Sequence, residues 1–245
     1  MGEVVFVGTS DAFGAGGRRQ SAIVARGASG TLLVDCGTTT GSGLGALGIE
    51  RDEIDAIVVS HFHADHFGGI PLFLLAARYV DERRRPLHVA GPPGIEERVR
   101  RLASAMGHPL DDRERGFALH FRELPSGCEH EVGPARIRSF ETHHQIEAHP
   151  HGYRIDTGGQ TLAYSGDTGW FAELPRRVAG ADLFVCECTL YHPSLDFHLS
   201  YEELIAQREA FDCGRMLLTH LGSEMSERRG TLEMDTADDD LRVDL

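Results

Sequence analysis

Short apolar runs separated by glycine-rich turns make up the first third of the chain. Residues 4–7 read as a strand, 8–19 as a long loop, and 21–25 with 31–34 as a hairpin around Gly27 to Gly30. Residues 44–47 belong to a helix, and 54–60 form a buried strand. The spacing predicts a helix over 69–80, with Leu72, Leu75, Ala76 and Tyr79 on one face. A strand at 87–90 precedes a helix that Pro93 opens and that runs to about Met106. Residues 117–140 read as further strands, with turns at Pro125-Ser126-Gly127 and Gly133-Pro134. A second hairpin joins 153–156 to 160–165, and a helix over 171–178 leads to a buried strand at 182–187. Ser200 caps a helix through Phe211, with Glu203 completing a capping box. Strands at 215–219 and 241–245 close the chain, and Asp238-Asp239-Asp240 reads as a solvated turn. No linker or low-complexity tract interrupts this alternation, so residues 1–245 are expected to form one α/β domain.

The apolar run Ile57-Val58-Val59-Ser60 ends in His61-Phe62-His63-Ala64-Asp65-His66. Three imidazoles and a carboxylate in six residues suit neither a core strand nor a turn, but they are standard ligands of a divalent ion. Two His at i and i+2 of an extended segment can face one ion. Asp65 and His66 come after the chain begins to turn and can face a second. The bland alternative is a His-rich surface loop. If the cluster is a metal site, more ligands belong where other strands end, and three places answer. His143 and His144 follow the strand at 136–141, Asp167 lies in Ser165-Gly166-Asp167-Thr168-Gly169, and His220 follows Met216-Leu217-Leu218-Thr219.

Charge and cysteines narrow the field. A formal net charge of −14 opposes general attraction to nucleic acid, though a small phosphorylated substrate stays open because bound dications reverse a local field. No apolar stretch is long enough for a membrane span, and the first residues lack a secretory pattern. Five cysteines without framework spacing are expected as free thiols in a reducing cytoplasm. Cys186-Glu187-Cys188 could suggest metal, but it ends an apolar run and fits buried thiols. The glycines of the long first loop lack the Gly-Lys-Ser/Thr of a P-loop.

His61-x-His63-x-Asp65-His66, a lone His, Gly166-Asp167-Thr168 and Thr219-His220 together resemble the metallo-β-lactamase-fold hydrolases. Val7-Gly8-Thr9-Ser10 and Tyr153-Arg154-Ile155 resemble the ribonuclease Z-like branch in particular, and the likeness covers residues 4–245. It implies a four-layer αββα sandwich with a dinuclear centre. His61, His63 and His144 would hold one ion, Asp65, His66 and His220 the other, and Asp167 would bridge them. His144 is preferred to His143 because members commonly show Thr-x-His. The ions are expected to be zinc, although His/Asp ligands also accept manganese or iron. They would share a hydroxide that attacks phosphorus or a carbonyl carbon.

Asp65 and His198 are the catalytic candidates. His198, in Asp196-Phe197-His198-Leu199-Ser200, resembles in position the His that protonates the leaving oxygen in phosphodiesterases of this branch. Its alternative is an exposed His before the capped helix. His149 and His151 could line the pocket and His192 could reach it, while His88, His108, His120 and His130 read as structural or exposed. Arg18 and Arg19 could meet an anionic substrate or lie solvated.

True ribonuclease Z enzymes resemble this chain less between the third-motif His and the bridging Asp, where they insert a tRNA-gripping arm. Here only 23 positions (167 − 144) separate His144 and Asp167. Flavo-diiron proteins carry a Glu where this chain has His63. The expected activity is hydrolysis of a small phosphodiester or cyclic nucleotide. Carboxylic ester, thioester or lactone hydrolysis is the enzymatic alternative, and a non-catalytic metal-bound module a third. A small-molecule substrate, no nucleic acid and no membrane are the expected partners, with a homodimer left open.

Overall fold

The computed structural model describes residues 2–111 and 116–245. Two mixed sheets stack face to face. The first contains β1 (Glu3–Gly8), β2 (Ala22–Gly27), β3 (Gly30–Val34), β4 (Ala56–Val58), β5 (Leu87–Gly91) and β6 (Leu119–Glu123) in sequential order. The second contains β7 (Glu129–Val132), β8 (Ala135–Glu141), β9 (His151–Asp156), β10 (Thr161–Tyr164), β11 (Ala181–Glu187) and β12 (Cys213–Thr219). The last strand, β13 (Arg242–Asp244), returns to pair with β1. Each sheet is antiparallel in its first strands and parallel later: β3 to β6 in one, and β10 to β12 in the other.

Both faces of each sheet are covered, which explains the unbroken apolar runs where half-exposed strands would alternate. In β1, Val4 and Phe6 enter the core between the sheets with Ile137, Tyr153, Ile155 and Leu217, while Val5 and Val7 pack outward. On that outer side lie α1 (Thr40–Leu47), the short α2 (Ala64–Phe67), α3 (Ile70–Tyr79) and α4 (Ile95–Ala105). Over the second sheet pack α5 (Leu174–Val178), α6 (Tyr201–Ala206) and α7 (Ser223–Arg228). The result is the expected αββα sandwich.

Ser200 accepts the Glu203 N–H and Glu203 reaches back to the Ser200 N–H, as the capping box predicts. The helix after it stops at Ala206, and a 3₁₀ turn at Arg208–Ala210 replaces the rest of the expected span to Phe211. The predicted face of α3 is wrong. Ile70, Phe73, Leu74 and Ala77 are buried, whereas Leu72 and Tyr79 are 50% and 63% exposed. This helix is apolar nearly all round, so spacing alone could not select the face that meets the sheet.

The Asp238-Asp239-Asp240 run is also no free turn. Asp239 accepts the Thr9 N–H at 3.0 Å, the Thr9 hydroxyl at 2.9 Å and the Arg19 N–H at 2.9 Å. Arg19 pairs with Asp239 and Asp240, and Arg18 donates to Ser226 at 2.7 Å. Neither arginine is solvated, and both are occupied clamping the first loop to the C-terminal turn. Among the described residues no helix is long and apolar enough to cross a membrane.

Arg83 is the largest buried polar side chain, and it ties the turn after α3 to the segment before β4. It donates to the carbonyls of Ile54 and Pro86 at 2.8 Å and of Arg85 at 2.9 Å. Replacing it with Ala strands these acceptors, so Arg83→Ala is expected to lower unfolding stability by about 3 kcal/mol in urea titration. Metal content should stay unchanged.

Candidate metal centre

The parallel strands of both sheets end at one edge, and the polar residues gather there, as they do at the carboxyl ends of strands in layered α/β folds. Asp35 follows β3, His61 comes three residues after β4, Asp167 follows β10, Glu187 ends β11 and His220 follows β12. The turn into α2 brings Asp65 and His66, and the loop after β8 brings His144. Asp35 and His220 take positive φ, 59° and 57°. Each leaves its strand in the left-handed region, a strained conformation for a non-glycine residue of the kind that collects at functional sites. Gly166 has φ 57°, and a Cβ there would lie 2.6 Å from the His151 carbonyl oxygen, so the turn delivering Asp167 requires glycine.

Two donor sets result: His61, His63, His144 and Asp167; and Asp65, His66, His220 and Asp167. In the first, His61 Nε2 and His144 Nε2 stand 3.0 and 3.2 Å from His63 Nδ1. In the second, His66 Nε2 lies 3.3 Å from His220 Nε2, and Asp65 Oδ2 is 3.3 and 3.2 Å from those two nitrogens. Asp167 faces both. Its Oδ1 is 3.3 Å from His66 Nε2, and its Oδ2 is 3.8 Å from His61 Nε2 and 3.5 Å from His220 Nε2. Asp167 Oδ1 is buried without a hydrogen bond. An orphaned carboxylate oxygen amid imidazole nitrogens aimed at one another is a donor set that fits divalent cations.

The far nitrogens are anchored. His61 Nδ1 meets Ser60 Oγ at 3.0 Å, His66 Nδ1 meets Asp35 at 2.7 Å, His144 Nδ1 donates to the Phe197 carbonyl at 2.8 Å, and His220 Nδ1 meets Thr189 Oγ1 at 2.8 Å. Such partners orient a ligating imidazole and set which nitrogen is free to bind. Asp35 is the hub: it also accepts the Ser60 N–H, the Ser60 hydroxyl and the Tyr164 hydroxyl, at 2.7, 2.8 and 2.7 Å.

The electrostatics divide the imidazoles. Burial pushes His61, His63 and His144 down, leaving neutral rings. Burial opposes charge on His66 and His220 too, but Asp167 and Asp65 outweigh it and hold both above the usual range. Burial would raise Asp65 and Asp167; the neighbouring His66 and His220 instead hold both carboxyls below the usual range. A field that keeps protons on two buried imidazoles also favours metal cations in their place.

His198 lies beside this centre. Its Nδ1 is 2.8 Å from Glu187 Oε1, and its ring stands 4.9 Å from that of His144 and 5.8 Å from that of His220. Burial disfavours the charged ring, but the Glu187 carboxylate and its hydrogen bond raise His198 to about 9. Glu187, His198 and His220 come close enough to form a third potential donor set. Glu187 is already engaged: its carboxylate accepts the Thr168 N–H at 2.8 Å and the Thr189 N–H and hydroxyl at 3.0 Å each.

A cavity of about 890 Å³ opens over the centre, lined by His63, Asp65, His144, Asp167, His198 and His220, with Phe13, Tyr191, His192 and Phe197 at its sides. Phe13 is 93% exposed. The expected set thus comes together, and His144 is buried at the centre while His143 is exposed. His192 also reaches the cavity. His149 and His151 do not line it: His151 is buried against the His149 carbonyl, and the His149 ring packs near Phe62. His88 and His120 stack on neighbouring strands. Asp35, Glu187, Thr189 and Tyr164 were missed. The first two obey the rule that found the ligands, since each stands where an apolar strand run ends. Cys186 and Cys188 are buried free thiols whose pKa burial pushes up, in keeping with the structural reading.

Two covered sheets with a His/Asp centre on their shared rim define a metallo-β-lactamase fold. The chain belongs to the family described as anti-Pycsar protein Apyc1, whose model matches residues 2–237. It is 28% identical over 241 residues to a ribonuclease Z of Mycobacterium avium, covering 90% of this chain and 86% of that one. The metallo-β-lactamase-fold protein YhfI from Bacillus subtilis superposes with a TM-score of 0.77 over the whole of both chains at 22% identity. A diphosphatase of the PhnP family does so with a TM-score of 0.79 at 16% identity, over 100% of this chain and 98% of that one.

Asp35 touches no donor-set atom directly other than through the back of His66. Asp35→Ala is expected to weaken metal binding roughly 10- to 100-fold in chelator competition. Unchanged affinity would remove Asp35 from the centre.

Proposed function

We propose that the chain is a dinuclear metal-dependent phosphodiesterase, acting as one domain in the cytoplasm on a small phosphodiester such as a cyclic nucleotide. The observation that carries this reading is His198, held from behind by Glu187, lining the same cavity as His63, Asp65, His144, Asp167 and His220 of the two donor sets. His61, His63, His144 and Asp167 would hold one cation and Asp65, His66, His220 and Asp167 the other. These two cations, taken as zinc, would supply Lewis acidity and a nucleophile at neutral pH.

Each further role falls to the chain itself. With Nδ1 held by Glu187, His198 has Nε2 left to donate a proton to the leaving alkoxide, which a phosphodiester with a poor leaving group requires. Glu187, fixed by Thr168 and Thr189, keeps the ring oriented and charged. Phe13, Tyr191 and Phe197 offer apolar faces on which a nucleobase can stack. The relatives named ribonuclease Z suggest a nucleic-acid phosphodiester, and the diphosphatase a small one. The acidic chain, and the single β9–β10 hairpin between His144 and Asp167, support the small substrate.

Purified protein is expected to hydrolyse bis(p-nitrophenyl) phosphate and a cyclic nucleotide, with chelator abolishing both. Turnover of a thioester or lactone alone would overturn the reading. His63→Ala should lose metal and activity together. His198→Ala should keep its metal and lose about 10² to 10⁴ in phosphodiester turnover.

The general-acid role also sets a pH dependence. The acid must be protonated, so the rate falls as pH rises through the His198 pKa. Glu187→Gln removes the charge that raises this pKa, and the alkaline limb of kcat is expected to move to lower pH. A limb that stays in place would separate His198 from the proton transfer.

A further inference from the structure

Away from the metal centre, on the outer face of the second sheet, lies a cavity of about 640 Å³ that shares no lining residue with the catalytic one. Ile137 and Ile155 point into the core between the sheets, so by strand alternation their neighbours Arg136, Arg138 and Arg154 point outward. Arg176 and Arg177 of α5 line the same cavity. Five guanidiniums thus meet in one concavity of a chain whose net charge is −14.

The acids present do not neutralise them. Glu129 and Asp156 also line the cavity, but Arg136 stands 3.8 and 3.9 Å from them, beyond hydrogen-bond distance. Asp156 accepts the N–H groups of Gly158 and Gly159. Arg154 donates to the Ala179 carbonyl at 2.7 Å, whereas the side chains of Arg138, Arg176 and Arg177 have no hydrogen-bond or ion-pair partner among the described residues. Arg138 and Arg154 are direct cross-strand partners in the β8–β9 register. Like charges directly opposite across an antiparallel pair destabilise it; Glu129 stands opposite Arg138 on β7, but no ion pair forms between them among the described residues.

We propose that this cavity is a second ligand site, for a compact polyphosphate such as inorganic triphosphate or the phosphate tail of a nucleotide. Guanidinium forks match phosphate oxygens two at a time, and several converging from a sheet and a helix suit adjacent phosphoryl groups better than an isolated one. The cavity has the volume of a small-molecule site. It is a concavity walled by α5 on one side, a shape that selects a compact anion over an extended strand. The ligand would supply the negative charge that the Arg138–Arg154 pair lacks.

The test is isothermal titration of the chelator-treated full chain with inorganic triphosphate, with adenosine triphosphate in a parallel arm. Chelator treatment matters because triphosphate also binds metal. Saturable binding that weakens with added salt is expected, and Arg138→Gln with Arg177→Gln, both exposed positions, should lower affinity roughly 100-fold. Phosphodiester turnover of the double variant should equal that of the parent. Tighter binding of the nucleotide than of triphosphate would assign the site to nucleotides, and equal binding to the phosphate chain alone. The proposal is overturned by absence of saturable binding, by equal affinity in the double variant, or by binding only to metal-loaded protein. Arginine-dependent binding of a single-stranded RNA without binding of triphosphate would also overturn it. A silent catalytic assay leaves this test intact, since it reads binding at arginines outside the catalytic cavity.

Discussion

Asp167 is a buried carboxylate at the seam between two sheets, with one oxygen lacking any hydrogen bond. A charge in that position is costly unless positive partners surround it. Histidines from both sheets supply them: His66 from the first and His220 from the second, with the neutral His61 ring alongside. The donor sets therefore span the gap between the layers. Asp65, His61, His63 and His66 come from one sheet's strand ends, and His144, Asp167 and His220 from the other's. Cation binding would close the rim where the two layers meet.

That arrangement needs a backbone that bends sharply as soon as each strand stops. Asp35, Gly166 and His220 all adopt positive φ at the rim. The surrounding packing holds them there. Asp35 is saturated by Ser60, Tyr164 and His66, and His220 is held by Thr189 through its side chain and its carbonyl. The strain and the second layer of polar contacts are one device, since each conformation is maintained by the hydrogen bonds that also orient the ligands. Glu187 extends it to His198 by linking that ring to Thr168 and Thr189, beside Asp167 and His220 of the donor sets.

The two arginine-bearing regions show how differently similar residues can be used. Arg18 and Arg19 are consumed by acids and a hydroxyl brought close only by the return of the chain. Arg138, Arg176 and Arg177 line an open concavity and form no ion pair among the described residues. The same side chain is a structural clamp in one place and an unsatisfied cation in the other. Only the neighbours differ.

The fold and the ligands were legible in the sequence because their signals are local. Covered strands must be apolar throughout, turns must carry glycine or proline, and ligands at strand ends interrupt apolar runs abruptly, as His61, Asp167 and His220 do. The preference for His144 over His143 came from a spacing shared with the family, and it is His144 that the fold buries beside His63. Tertiary structure alone decided the rest, since each answer depends on residues far apart in the chain. The face of the all-apolar α3 is chosen by the sheet it meets, and the Asp239 clamp joins residues 230 positions apart. Asp35 and Glu187 look like ordinary strand-end acids until folding places His66 and His198 against them. Whether a charge is solvated, paired or left to bind a ligand depends on what lies within a few ångströms, and only the folded chain determines that.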